Sequence, residues 1–131
     1  MRRFALWAPP VIYMAAIFFV SAQSHPMPEV TERVWDKLLH FVEYGGLAVL
    51  WYRAFAGEGM TSVMAALLAL AATSLYAASD EVHQAFVPER MSDVRDWISD
   101  TIGAAIAVSL CVVARLTRVS TASRRPRRLR R

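Results

Sequence analysis

Two stretches of this chain carry no charge over a length that would cross a lipid bilayer, Phe4 to Ala22 and Met60 to Ser79. A bilayer's hydrocarbon core is about 30 Å thick, so a spanning helix needs roughly 20 mostly apolar residues. Lipid satisfies no backbone hydrogen bond, and no strand alternation is visible, so such stretches must be helical. Two further segments are apolar but hold ionisable residues near their starts. Asp36 to Phe55 contains His40 and Glu43 in its first half, and Trp97 to Ala114 contains Asp100. With 131 residues, 56% hydrophobic and only 20% charged, the chain has no room for two soluble domains. The charge-free blocks exclude a disordered chain and weigh against a soluble enzyme. The lone Cys111 excludes a disulfide-built miniprotein. The expected fold class is all-α, a polytopic membrane protein forming a four-transmembrane-helix bundle with spans at about 4–22, 36–55, 60–79 and 97–114. Residues 1–116 would form this domain, and 117–131 a basic, disordered cytoplasmic tail.

The first segment has a second reading. Met1-Arg2-Arg3, an apolar run and Val20-Ser21-Ala22 also fit a signal peptide with a small-residue cleavage site. The run is longer than a usual signal core and leads into a Pro-containing loop, which favours an uncleaved helix kinked at Pro9-Pro10.

Orientation follows from the basic residues. Alternating four spans places eleven of the fifteen Lys and Arg on one side, and only Arg33, Lys37, Arg90 and Arg95 on the other. Ten of the eleven acids fall with those four, leaving Glu58 alone among the eleven. By the positive-inside bias, both termini are expected in the cytoplasm. The tail from Arg115 to Arg131 holds eight Arg and no acid, as a topology anchor near anionic lipid would. It lacks aromatic residues for base stacking, so nucleic acid is not an expected partner.

Two polar clusters are expected at the exterior face. In Asp36-Lys37-Leu38-Leu39-His40-Phe41-Val42-Glu43-Tyr44, the residues Asp36, His40 and Glu43 share one helical stripe, with Tyr44 beside it. The second cluster runs from Asp80 to Asp100. Asp80, His83 and Gln84 keep helical spacing after the third span, Pro88 breaks the chain, and Ser92 or Asp93 can cap the fourth helix. Asp93, Asp96 and Asp100 share a face of that helix. Ionisable groups at this depth are costly and seek partners. The expected pairs set Lys37, Arg90 and Arg95 against Asp80, Glu81, Asp93 and Asp96. A salt-bridge and capping network tying the helix ends together would account for most of these charges. It accounts less well for Glu43 and Asp100, which sit further into the apolar zone. The functional alternative is a polar pocket open to the exterior. Metal binding or acid–base chemistry by His40, His83 and the carboxylates has no specific motif here, since H-E-x-x-H is absent.

In this order and between these spans, the clusters resemble the VanZ-like family of small bacterial membrane proteins. The resemblance rests on D-K-x-x-H with a following Tyr (Asp36, Lys37, His40, Tyr44) and D-E-x-x-Q-x-F-x-P-x-R (Asp80, Glu81, Gln84, Phe86, Pro88, Arg90). An Asp leading into a small-residue helix with Gly (Asp96, Gly103) completes it. The second motif is the specific part. This chain has Asp100 where the family often has Asn, so an acid there is protonated, meets a cation, or alters the site. The resemblance implies an integral protein of the cytoplasmic membrane, in a family named after a member associated with teicoplanin resistance. No reaction is attached to the family at large.

Three readings of function stand at this point, and whether the protein is an enzyme is open. The first is an envelope protein whose exterior pocket, formed by Asp36, Lys37, His40, Tyr44, Asp80, Glu81, Gln84, Arg90 and Asp96, engages a cationic or phosphate-bearing ligand such as a lipid-linked wall precursor. The second is a metal-assisted hydrolase or transferase using His40, His83, Asp80, Glu81 and Asp96. The third is a structural accessory subunit. Membrane lipids are expected partners, and no cofactor is implied. Gly45-Gly46, Gly103 and Ala107 offer small faces where helices can approach closely, and Trp35, Trp51 and Trp97 suit interfacial anchors.

Overall fold

Four helices follow one another among the described residues: α1 (Arg2–Ser21), α2 (Arg33–Gly57), α3 (Ser62–Gln84) and α4 (Val94–Ser123). The computed structural model describes residues 1–24, 33–88, 90 and 92–123, and only the backbone of 33–36 and 122–123. The local chemistry sets the helix ends. After Gly57 the chain reverses through Gly59, whose φ of +94° is a glycine conformation. Thr61 then caps α3 by accepting a hydrogen bond from the Met64 N–H at 3.3 Å. Asp93 caps α4, its Oδ1 accepting from the Arg95 N–H at 2.8 Å. α4 runs past the expected limit at 116 to Ser123, because no helix breaker precedes Pro126. The basic segment expected as a disordered tail therefore begins as helix, and 124–131 lie outside the described residues.

Successive helices reverse direction, so α2 and α4 run parallel. α2 touches all three other helices and packs most extensively against α4, while α1 rests on α2 and, more lightly, on α3. The core faces keep helical spacing. On α3 the buried positions are Ala65, Ala69, Thr73 and Ala77, then Asp80, Glu81 and Gln84. On α4 they are Val108, Ala104 and Gly103, then Asp100 and Asp96. Each stripe is thus apolar at one end and carboxylate-bearing at the other. Small side chains let the backbones approach. A Cβ on Gly103 would lie 2.3 Å from the Phe41 carbonyl oxygen, so α4 touches the α2 backbone directly there.

The outer surface is apolar. Phe4, Leu75 and Leu110 are exposed to 77%, 72% and 65%. Among the described residues three helices are long and apolar enough to cross a membrane: Arg2–Ser21, Ser62–Gln84 and Val94–Thr121, with mean hydropathies of 1.8, 1.6 and 1.8. α2, whose apolar stretch contains His40, Glu43 and Arg53, is not among them.

Candidate functional site

The polar ends of these core stripes meet where the N-terminal half of α2, the C-terminal end of α3 and the start of α4 converge. Parallel α2 and α4 are in step there. The Lys37 ammonium donates to Asp96 Oδ1 and lies 3.8 Å from Asp93 Oδ2. One turn further in, His40 Nδ1 lies 3.3 Å from Asp100 Oδ1. The next turn brings the Phe41 carbonyl onto Gly103. The depth of each pair sets its character. The Lys37 side chain is 36% exposed, whereas that of Asp100 is 1% exposed, so the second pair is far less screened by water.

α3 contributes Asp80. Its Oδ2 accepts hydrogen bonds from the Tyr44 hydroxyl and from Gln84 Nε2, each at 3.0 Å, and its Oδ1 is 3.9 Å from His83 Nδ1. His83 in turn stacks against Phe18 of α1 with ring centroids 4.4 Å apart. Glu81 closes the α3–α4 connection, accepting from the Asp93 N–H at 2.8 Å and the Ser92 hydroxyl at 3.2 Å. Half-buried Glu43 lies within electrostatic reach of His40, Asp80, Asp100 and Arg90. The buried polar atoms without a hydrogen bond among the described residues include, at this end, Asp80 Oδ1, both Asp100 carboxylate oxygens and Arg90 Nε, and elsewhere the Tyr52 and Thr73 hydroxyls.

Of the residues expected from sequence, Lys37, His40, Tyr44, Asp80, Glu81, Gln84 and Asp96 gather at this end of the core, and Arg90 lies close enough to act on Glu43. The side chain of Asp36 lies outside the described residues. The partners differ from those expected. Lys37 does meet Asp96 and Asp93, but Asp80 is held by neutral donors, and Glu81 by a hydroxyl and a backbone amide. Asp100 lies beside His40, a contact that is an ion pair only with the imidazole protonated. Sequence reasoning did not pair these two. The signal available was their common depth, each one turn inside a rim charge of its own helix.

Two of the expected aromatic anchors also have inner roles. Trp97 Nε1 donates to the Ser74 carbonyl and hydroxyl, both at 3.2 Å, tying α4 to α3. Trp51 packs edge-on to Trp7, with centroids 5.8 Å apart. The side chain of Trp35 lies outside the described residues.

Two cavities lined by described residues lie elsewhere. One of about 370 Å³ lies between the start of α1 and the α2–α3 turn. Another, of about 350 Å³, is an apolar groove between α3 and α4. Among the described residues no group of three or more His, Cys, Asp or Glu side chains is arranged to hold a metal ion.

An apolar exterior over long helices, with ionisable groups drawn into one end of the core, defines a multi-helix membrane protein. The chain belongs to the VanZ/LLP1 family, whose model matches residues 5–115, most of its length. The likeness read from the Asp36 and Asp80 motifs thus holds. No curated protein and no solved structure matches the chain.

Proposed function

We propose that this protein is a four-span component of the cytoplasmic membrane, both termini inside, whose polar end engages the head group of a lipid-linked or phosphate-bearing envelope ligand at the exterior face. The segregation of basic and acidic residues supports the orientation. α2 enters as the fourth span because its polar side chains are turned into contacts with the other helices, and a span may carry such groups where protein rather than lipid surrounds them. The observation that carries the ligand reading is the set of buried atoms left without a hydrogen bond at this end, among them Asp80 Oδ1, Asp100 Oδ2 and Arg90 Nε. A buried polar group left without a partner costs roughly 1–3 kcal/mol. Acceptors and a guanidinium donor left over in one place suit a ligand that brings both an anionic and a hydrogen-donating group.

The rim contacts of Lys37 and Glu81 serve the helix ends themselves, as a structural role would require. The metal-assisted alternative has no ligand group among the described residues to rest on. The test is binding of a polyprenyl phosphate by the purified full chain in nanodiscs. Arg90→Gln and Asp80→Asn are expected to fold, judged by an unchanged thermal unfolding curve, and to lose binding at least about tenfold, the equivalent of one charge-assisted hydrogen bond. Folded variants that bind like the parent would leave the structural reading in its place.

A further inference from the structure

The cavity of about 370 Å³ belongs to the other end of the molecule and to none of the residues of the polar end. Its walls include Arg2, Arg3 and Leu6 of α1 and Gly57, Glu58 and Gly59 of the α2–α3 turn. Arg2 Nη2 donates to the Gly57 carbonyl at 2.9 Å, and Arg3 Nε lies 3.5 Å from Glu58 Oε2. A guanidinium carries five N–H groups in a planar fork, so one contact apiece leaves most of each fork for something else. The only acid in the wall, Glu58, is already engaged: its Oε1 accepts from Trp7 Nε1 at 3.1 Å. The cavity therefore carries two cations against one occupied carboxylate.

The opposite wall is bare backbone. A Cβ on Gly57 would lie 2.6 Å from Leu6 Cδ2, whereas Gly59 faces open space. The cavity also sits where an apolar span meets charge. Arg2 and Arg3 open α1, and Phe4 beside them is 77% exposed. An occupant at this level has to be anionic at the arginines and apolar along α1. A volume of this size is in the range of small-molecule sites.

We infer that this cavity binds the phosphodiester head group of an anionic membrane lipid, with Arg2 and Arg3 on the phosphate and the acyl chains along the exposed face of α1. Guanidinium forks match phosphate oxygens in geometry as well as charge. The inference is independent of the ligand at the polar end, and the two can fail separately.

The test places the full chain in nanodiscs of mixed phosphatidylglycerol and phosphatidylcholine and measures the lipid retained after mild detergent extraction by native mass spectrometry. The tail arginines are the same in every variant and give a common background. Arg2→Gln with Arg3→Gln is expected to lower phosphatidylglycerol retention at least about threefold relative to phosphatidylcholine, the scale of one basic residue near an anionic surface. Glu58→Gln removes the opposing charge while keeping an acceptor for Trp7, and is expected to match or exceed the parent. Should the double variant fail to fold, Arg3→Gln alone, at a side chain 85% exposed, gives the same direction. Unchanged selectivity in the arginine variants would overturn the inference. So would an equal loss in Glu58→Gln, which would mean that lipid follows the docking of α1. Displacement of the lipid by soluble glycerol phosphate at similar concentration would assign the cavity to free phosphate instead.

Discussion

α1 and α4 both pack on α2, yet they are held in different ways. α4 meets α2 backbone to backbone at Gly103 and side chain to side chain through Lys37–Asp96 and His40–Asp100. α1 is held by rings and by side chains reaching for carbonyls. Trp7 lies edge-on to Trp51 and Phe55, Tyr76 donates to the Met14 carbonyl at 2.7 Å, and Arg53 donates to the Ala5 carbonyl at 3.1 Å. The first kind of contact resists sliding, since backbone atoms cannot turn aside as a side chain can. The second tolerates small shifts. The polar end is accordingly built mainly on α2, α3 and α4, with the Phe18 ring of α1 set against His83.

That contrast can be broken most forcefully at Gly103. Gly103→Val forces a branched side chain against the Phe41 carbonyl, and should cost about 3 kcal/mol or more in a denaturant titration in detergent, the upper range for overpacking. A variant as stable as the parent would show that the two backbones do not touch. Removing the deep pair comes next. His40→Ala leaves the Asp100 carboxyl without its partner and should cost roughly 1–3 kcal/mol. Adding Asp100→Asn should restore part of that loss, and a double-mutant cycle with no coupling would dissolve the pair. The α1 side should respond least. Tyr76→Phe removes one hydroxyl bond to the Met14 carbonyl and should cost about 1 kcal/mol. A loss matching that at Gly103 would erase the distinction between the two helices.

Much of this was legible before any coordinates. Charge-free runs mark α1 and α3 because lipid imposes a length and a composition that chance does not supply. The stripe of His40 and Glu43, and the run from Asp80 to Asp100, point to one end of the core because helical periodicity fixes which residues share a face. Periodicity is silent on partners between helices. Nothing in the spacing says that His40 faces Asp100 rather than Asp80, or that Glu81 turns to the Asp93 amide rather than to a cation, because those choices depend on the rotation and height of one helix against another. The tie of Trp97 to α3 was hidden for the same reason: a place near a boundary says nothing of the Ser74 carbonyl beside it. The extent of α4 was misjudged differently, since loss of hydrophobicity after 114 ends a span but does not end a helix.

The bond from Arg53 to Ala5 has a consequence for α1. Pro9 has no N–H, so the Ala5 carbonyl cannot close the usual turn with the residue four positions on. α2 supplies the missing donor. A backbone acceptor that α1 cannot use itself is thus taken up by a side chain 48 positions further along, so a proline in one helix is answered from the next.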